Sequence, residues 1–126
     1  MRVHELGPEA VATMEVIDLA TVNEEPASPI GTFEFHGCTT GVASFKGRPP
    51  WELHTDGDEL LHILSGECGL TVLEPAGPVS RVLRRGDLVV VPRGCWHRND
   101  AASEVRMLFI TPSAGNDHSW DDPRER

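Results

Sequence analysis

From residue 32 onward the chain alternates short apolar or β-branched runs with Gly, Pro and Asp punctuation. TFEFH, GVASFKG, WELH, ELLHIL, LTVLE, VSRVL, DLVVV and EVRMLFI are the runs; GRPP, TDGD, SGECG, PAGP, RRGD and PRG break them. Strands this short at this spacing predict an all-β sandwich or barrel. In ELLHIL, Glu59, Leu61 and Ile63 share one face, and Leu60, His62 and Leu64 share the other. DLVVV is apolar on both faces. A sheet wet on one side would alternate polar and apolar positions, so both strands are expected to be covered twice. The second cover is either the N-terminal segment or another subunit, and a homodimer is the expectation.

The ends of the chain read differently. EAVATMEVIDLATV fits neither the helical nor the strand period, and NEEPASPIG then interrupts the chain with two prolines and a glycine. Residues 1–30 are therefore expected to be an arm that packs on a barrel spanning 31–112. GNDHSWDDPRER is polar and charged, which predicts a mobile tail over 113–126.

Composition narrows the function classes. The 126 residues are the size of one domain, long enough to bury a hydrophobic core without crosslinks. Eleven basic residues against twenty acidic ones leave a formal charge of −9, which argues against nucleic acid and anionic membrane surfaces as partners. No stretch approaches the ~18 apolar residues of a membrane span. MRVHELGPEA has no apolar signal core, and Cys38, Cys68 and Cys95 lack zinc-finger spacing. Free thiols and a cytoplasmic setting are expected.

The chemistry is concentrated in WELHTDGDELLHILSG, where Glu52, His54, Asp56, Asp58, Glu59 and His62 fall within eleven positions and run into an apolar strand. Side chains two apart on a strand share a face, so Glu52 and His54 point the same way. The TDGD turn lets Glu59 enter the same interior from the next strand. His97 follows a Pro-x-Gly turn at the end of a third strand. Two imidazoles and one or two carboxylates make a mixed N/O site suited to Fe(II), Mn(II), Ni(II), Co(II) or Zn(II).

These residues resemble the two motifs of the cupin superfamily of small β-barrels. In the first, G-x5-H-x-H-x3,4-E-x6-G, the second half is matched by His54, Glu59 and Gly66. In the second, G-x5-P-x-G-x2-H-x3-N, the match runs through Gly86, Pro92, Gly94 and His97. The resemblance covers about residues 40–100 and implies a double-stranded β-helix of jelly-roll type with a divalent metal. It also departs from the family. Glu52 stands where the first histidine belongs, Gly47 lies one residue too close to it, and Ala101 occupies the closing asparagine position beside Asn99 and Asp100. Glu52 is either a fourth ligand, a base for a bound substrate, or a partner of Arg48, Arg93 or Arg98 at the barrel mouth.

The remaining candidates have plainer readings. His62 is expected on the outer face and His36 at a strand end. Cys95 reads as a small buried hydrophobe, and parity turns Trp51 away from Glu52 and His54. Gly47, Gly66, Gly86 and Gly94 are expected at tight corners. Fold does not give function. An enzyme acting on a small polar molecule is the first expectation, with dioxygenase, isomerase, epimerase and lyase chemistry all open. A non-catalytic module that binds a small ligand or a structural metal is the second, and a metal-free barrel used for assembly is the third.

Overall fold

The computed structural model describes residues 1–12, 16–18 and 30–125. A short helix α1 (Pro8–Ala12) and a two-residue strand β1 (Ile17–Asp18) precede the main body. There follow β2 (Ile30–Phe35), β3 (Cys38–Gly47), β4 (Trp51–His54), β5 (Glu59–Ser65), β6 (Glu67–Glu74) and β7 (Gly77–Arg84). The last strands are β8 (Leu88–Val91), β9 (His97–Pro112) and β10 (Asn116–Ser119), before a 3-10 turn at Pro123–Glu125. This is the all-β architecture expected from the strand spacing, in the jelly-roll form that the resemblance implies.

The 16-residue β9 organises the sheets. Its first residues pair with β6 (Val72↔His97, Leu70↔Asn99) and with β4 (Glu52↔His97). Its second half pairs with β3 on one side and β5 on the other. Both of these ladders shift register, between Phe45 and Gly47 and between Ile63 and Ser65. Such irregularities bend a strand and let one chain segment serve two sheets. The final strand was expected to start only at Glu104. RNDAAS reads as a polar loop, but Asn99 and Ala101 are buried as β9 crosses the barrel.

Alternation places the core. In β5, Glu59, Leu61 and Ile63 are buried while Leu60, His62 and Leu64 are half-buried. Ile63 and Val105 sit at the centre with Leu70, Val91 and Met107. Truncating Ile63 to Ala would cost about 2–5 kcal/mol through lost transfer energy and the cavity left behind. The SGE corner between β5 and β6 depends on Gly66, at φ 78°. A Cβ there would lie 2.2 Å from the Glu104 carbonyl oxygen, so no other residue fits.

The two ends of the chain pack against this body. His4 stacks on Phe33 with ring centroids 4.0 Å apart. Val11 of α1 is buried and borders a cleft that includes Leu64 and Arg106. On the same outer side, Leu88 and Val90 of β8 stay 62% and 55% exposed, so no described residue supplies their expected second cover; residues 13–15 and 19–29 of the expected arm lie outside the described residues. The other end corrects the expectation of a mobile tail. Asn116–Ser119 pairs antiparallel with His54–Trp51. The Arg124 and Arg98 guanidinium groups lie 5.6 and 5.9 Å from the Trp51 ring. Polar residues at 116–119 suit a strand that caps the edge of β4 and needs no apolar face of its own. Among the described residues no helix is long and apolar enough to cross a membrane.

Candidate metal centre

The four acidic and imidazole side chains singled out from the spacing meet inside the barrel. Alternation along β4 turns Glu52 and His54 inward together. Glu59 opens β5 opposite Val91, and His97 opens β9 opposite Glu52. One ligand atom from each of Glu52, His54, Glu59 and His97 lies within 4.8 Å of all the others. His54 Nε2 is 3.2 Å from Glu59 Oε2, and His97 Nε2 is 3.1 Å from Glu59 Oε1 and 3.5 Å from Glu52 Oε2. His54 and Glu59 are each 5% exposed and His97 is 1% exposed. The Glu52 side chain, at 38%, faces the opening.

Surrounding groups orient these donors. Asn116 Nδ2 donates to the Pro112 carbonyl at 2.7 Å, which leaves its Oδ1 as an acceptor. That oxygen lies 2.7 Å from His54 Nδ1. His54 therefore carries a proton on Nδ1, and in the neutral ring Nε2 holds the lone pair. The Cys95 carbonyl plays the same part toward His97 Nδ1 at 3.3 Å. Thr111 Oγ1 donates to Glu59 Oε2 at 2.6 Å.

Both Nε2 atoms are buried without a hydrogen-bond partner, although Glu59 oxygens lie 3.1–3.2 Å away. Close approach without hydrogen-bond geometry is what lone pairs aimed at a common point would show. Donors about 2.1 Å from one ion would be roughly 3.0–3.4 Å apart at neighbouring vertices of an octahedron or tetrahedron. The observed separations of 3.1, 3.2 and 3.5 Å suit such an ion. The donor set, nitrogen plus carboxylate with no thiolate, suits a first-row divalent metal.

In the metal-free cluster the charges hold one another. Burial pushes the His97 imidazole toward its neutral form, but Glu52 and Glu59 outweigh it and raise its pKa to about 10. Burial likewise opposes charge on His54, and Glu59 overrides it, so that pKa also rises. Burial would raise the Glu59 pKa, yet the two imidazoles pull it down to about 2.

A cavity of about 330 Å³ opens beside the donors, bounded by Glu52, Glu59, Asn99 and Thr111 and walled by apolar side chains of β3, β5 and β9. His62 is half-buried on the opposite face of β5 from Glu59, and exposed His36 caps the β2–β3 corner at φ 50°. Cys95 is buried, and all three cysteines are free thiols. Trp51 is buried on the far side of β4 from Glu52. Two of the arginines expected as Glu52 partners, Arg48 and Arg98, are engaged elsewhere. Arg48 pairs with Asp100 and Arg98 Nε donates to the Pro49 carbonyl, while Arg93 makes its contact through the backbone, its amide donating to Asp58. Asn116, Thr111 and Asn99 were not foreseen. Only Asn99 had a sequence signal, its nearness to the motif's asparagine position.

Comparison with known proteins agrees with this architecture. The family model of the cupin domain matches residues 44–111. Ribosomal oxygenase 1 of Danio rerio is 32% identical over 89 residues, 64% of this chain but 15% of the fish protein. A cupin-2 domain protein of Shewanella frigidimarina superimposes with a TM-score of 0.59 at 22% identity, covering 71% of this chain and 83% of that one. A hydroquinone 1,2-dioxygenase, solved with Cd2+ and 4-hydroxybenzonitrile, gives a TM-score of 0.59 at 21% identity, covering 73% and 68%. With both sequence motifs, the jelly-roll sheets and a family match across more than half of its length, the chain belongs to the cupin domain family.

Proposed function

We propose that this protein is a metal-dependent cupin enzyme in which His54, Glu59 and His97 hold one divalent transition metal, with Glu52 as a fourth, more accessible ligand or base. The observation that carries this reading is the pair of buried Nε2 atoms, unpartnered and facing the same carboxylate. The metal would supply Lewis acidity to substrate oxygens, or redox chemistry if it is iron. Asn116 and the Cys95 carbonyl hold the imidazole tautomers, and Thr111 fixes Glu59. Glu52, partly exposed and facing the cavity, is placed to accept a proton from a bound molecule. The likeness to an oxygenase and to a dioxygenase supports an oxygen-dependent reaction.

Elemental analysis of protein purified without an affinity tag tests this directly. About one divalent metal per chain is expected, and His54→Ala or His97→Ala should lower the occupancy. Sub-stoichiometric metal with no uptake of added Fe(II), Mn(II), Ni(II) or Zn(II) would refute it. The homodimer is a separate proposal, supported by exposed Leu88 and Val90 on the outer face of β8. A monomer in sedimentation at micromolar concentration would exclude it.

A further inference from the structure

We propose that the cavity beside the four donors selects a neutral, mostly apolar molecule carrying a phenol-like hydroxyl, and discriminates against small carboxylate anions. This rests on the metal reading for the charge balance but not for the shape or lining of the cavity. It shifts the expected substrate from a small polar molecule toward an apolar one with a single polar end.

Three observations lead there. The walls are apolar: Phe45, Leu61, Met107 and Phe109 line the cavity, and such surfaces suit a ring. No Lys or Arg lies among its lining residues. Outside the described residues, the stretches 13–15 and 19–29 contain none either, and Arg126 is the one cation there. Finally, both charged groups on the wall, Glu52 and Glu59, are carboxylates.

The charge count follows. Two carboxylates, two neutral imidazoles and one divalent ion sum to zero. With histidine at position 52, as in the family motif, the sum would be +1. Glu52 therefore removes the excess positive charge that would attract an anionic ligand. An anion entering here would bring a net negative charge into a partly apolar cavity with no Lys or Arg among its lining residues to meet it. Its carboxylate would also face Glu52, and two ionised carboxylates are both acceptors only. A hydroxyl has a proton to donate to Glu52 and pays neither penalty. Like-charge juxtaposition of this kind is worth on the order of 100-fold in affinity.

Phenol and benzoate present the same ring and differ in charge at neutral pH. Calorimetric titration of each into Zn(II)-loaded and metal-free protein reads the preference. Phenol is expected to bind at least tenfold more tightly than benzoate in both forms. Glu52→Gln, at a partly exposed position that should leave the fold intact, should shrink the preference tenfold or more. Thr39→Arg, which adds a cation at the cavity wall, should bring benzoate in. Benzoate binding as tightly as phenol, no binding of either at millimolar concentration, or a preference indifferent to both substitutions would overturn the inference. Metal content measured on the same samples separates the two readings. Protein that holds metal but favours benzoate sinks only the ligand class. Metal-free protein that takes up no Zn(II) yet favours phenol through Glu52 sinks only the metal assignment.

Discussion

The floor and the mouth of the donor cluster are each built around a glutamate, and the two are held very differently. Glu59, on the floor, is 5% exposed and has His54, His97 and Thr111 within 2.6–3.2 Å. Glu52, at the mouth, is 38% exposed and has His97 at 3.5 Å. One carboxylate is fixed in place by its neighbours, while the other keeps a water-facing side. The contrast assigns them different work. A buried carboxylate between two imidazoles is suited to holding an ion in a set geometry. A partly hydrated one can exchange partners, accept a proton and set the charge that an incoming molecule meets.

The sharpest way to break that comparison is to remove the floor. Glu59→Gln keeps the shape but deletes the charge on which both histidines converge. Truncating one member of a buried, hydrogen-bonded charge set costs roughly 2–5 kcal/mol, so metal affinity should fall on the order of 100-fold or more. Competition with a chelator of known affinity measures it. Equal affinities for wild type and variant would mean that the Glu59 charge does not hold the ion. Asn116→Ala comes next. It leaves every donor in place and removes only the acceptor that holds His54 in one tautomer. Loss of such an outer partner typically lowers metal affinity about 10–100-fold. The imidazole nitrogen shifts of His54 should change with it, a signature that general destabilisation would not produce.

Most of the fold and the donor set were legible in the sequence, for reasons visible in particular residues. ELLHIL announces its inward face because Glu59, Leu61 and Ile63 alternate with Leu60 and His62. His54, Glu59 and His97 sit at motif spacings because tight turns, with Gly66 and Gly94 at positive φ, fix where each strand re-enters the barrel. Asn116 was not legible. It lies 62 residues from His54 in a polar stretch with no apolar alternation, and only the pairing of β10 with β4 brings its side chain against the His54 ring. The first half of β9 was hidden for a related reason. Its polar residues point into a polar site, so burial there leaves no hydrophobic signature. The exposed β8 face shows the opposite case, since its apolar residues predict a cover that the described residues do not provide.

Acidity should distinguish the histidines from the carboxylates. A metal takes an imidazole only in its neutral form, so it must displace the proton held there. His97 is raised to about 10 and His54 is also raised, which extends proton competition well above the ordinary value of 6.5. Metal affinity should therefore climb with pH between 7 and 9, about tenfold per unit for each proton displaced. The sign for the metal-free protein is the reverse. The stabilisation from charged His97 is fully present below 6.5 and is lost as pH rises through about 10. Glu59, held near 2, contributes above about 4.5 and loses its contribution only as pH falls toward 2. Affinity flat from pH 7 to 9 would show that the imidazoles are already neutral there, and affinity flat down to pH 5 would show that the carboxylates alone hold the ion.

The smallest expected effect is the most informative about the mouth. Glu52→Gln removes a charge that already faces water, where a unit charge about 4 Å away is worth roughly 1–4 kcal/mol depending on how well it is solvated. At the solvated end of that range, metal affinity should drop only several-fold, far less than for Glu59→Gln. A loss as large as that of Glu59→Gln would show that the mouth closes over a bound ion and that Glu52 becomes a full ligand. Glu52→His sharpens the point, because it restores the third imidazole of the family motif at the same strand position. If that variant binds metal more tightly, a side chain at position 52 reaches the ion. The wild-type carboxylate then gives up affinity there in exchange for a lower site charge. If it binds no more tightly, position 52 stands off the metal. Glu52 then acts on whatever enters the cavity, through its charge and its capacity to accept a proton.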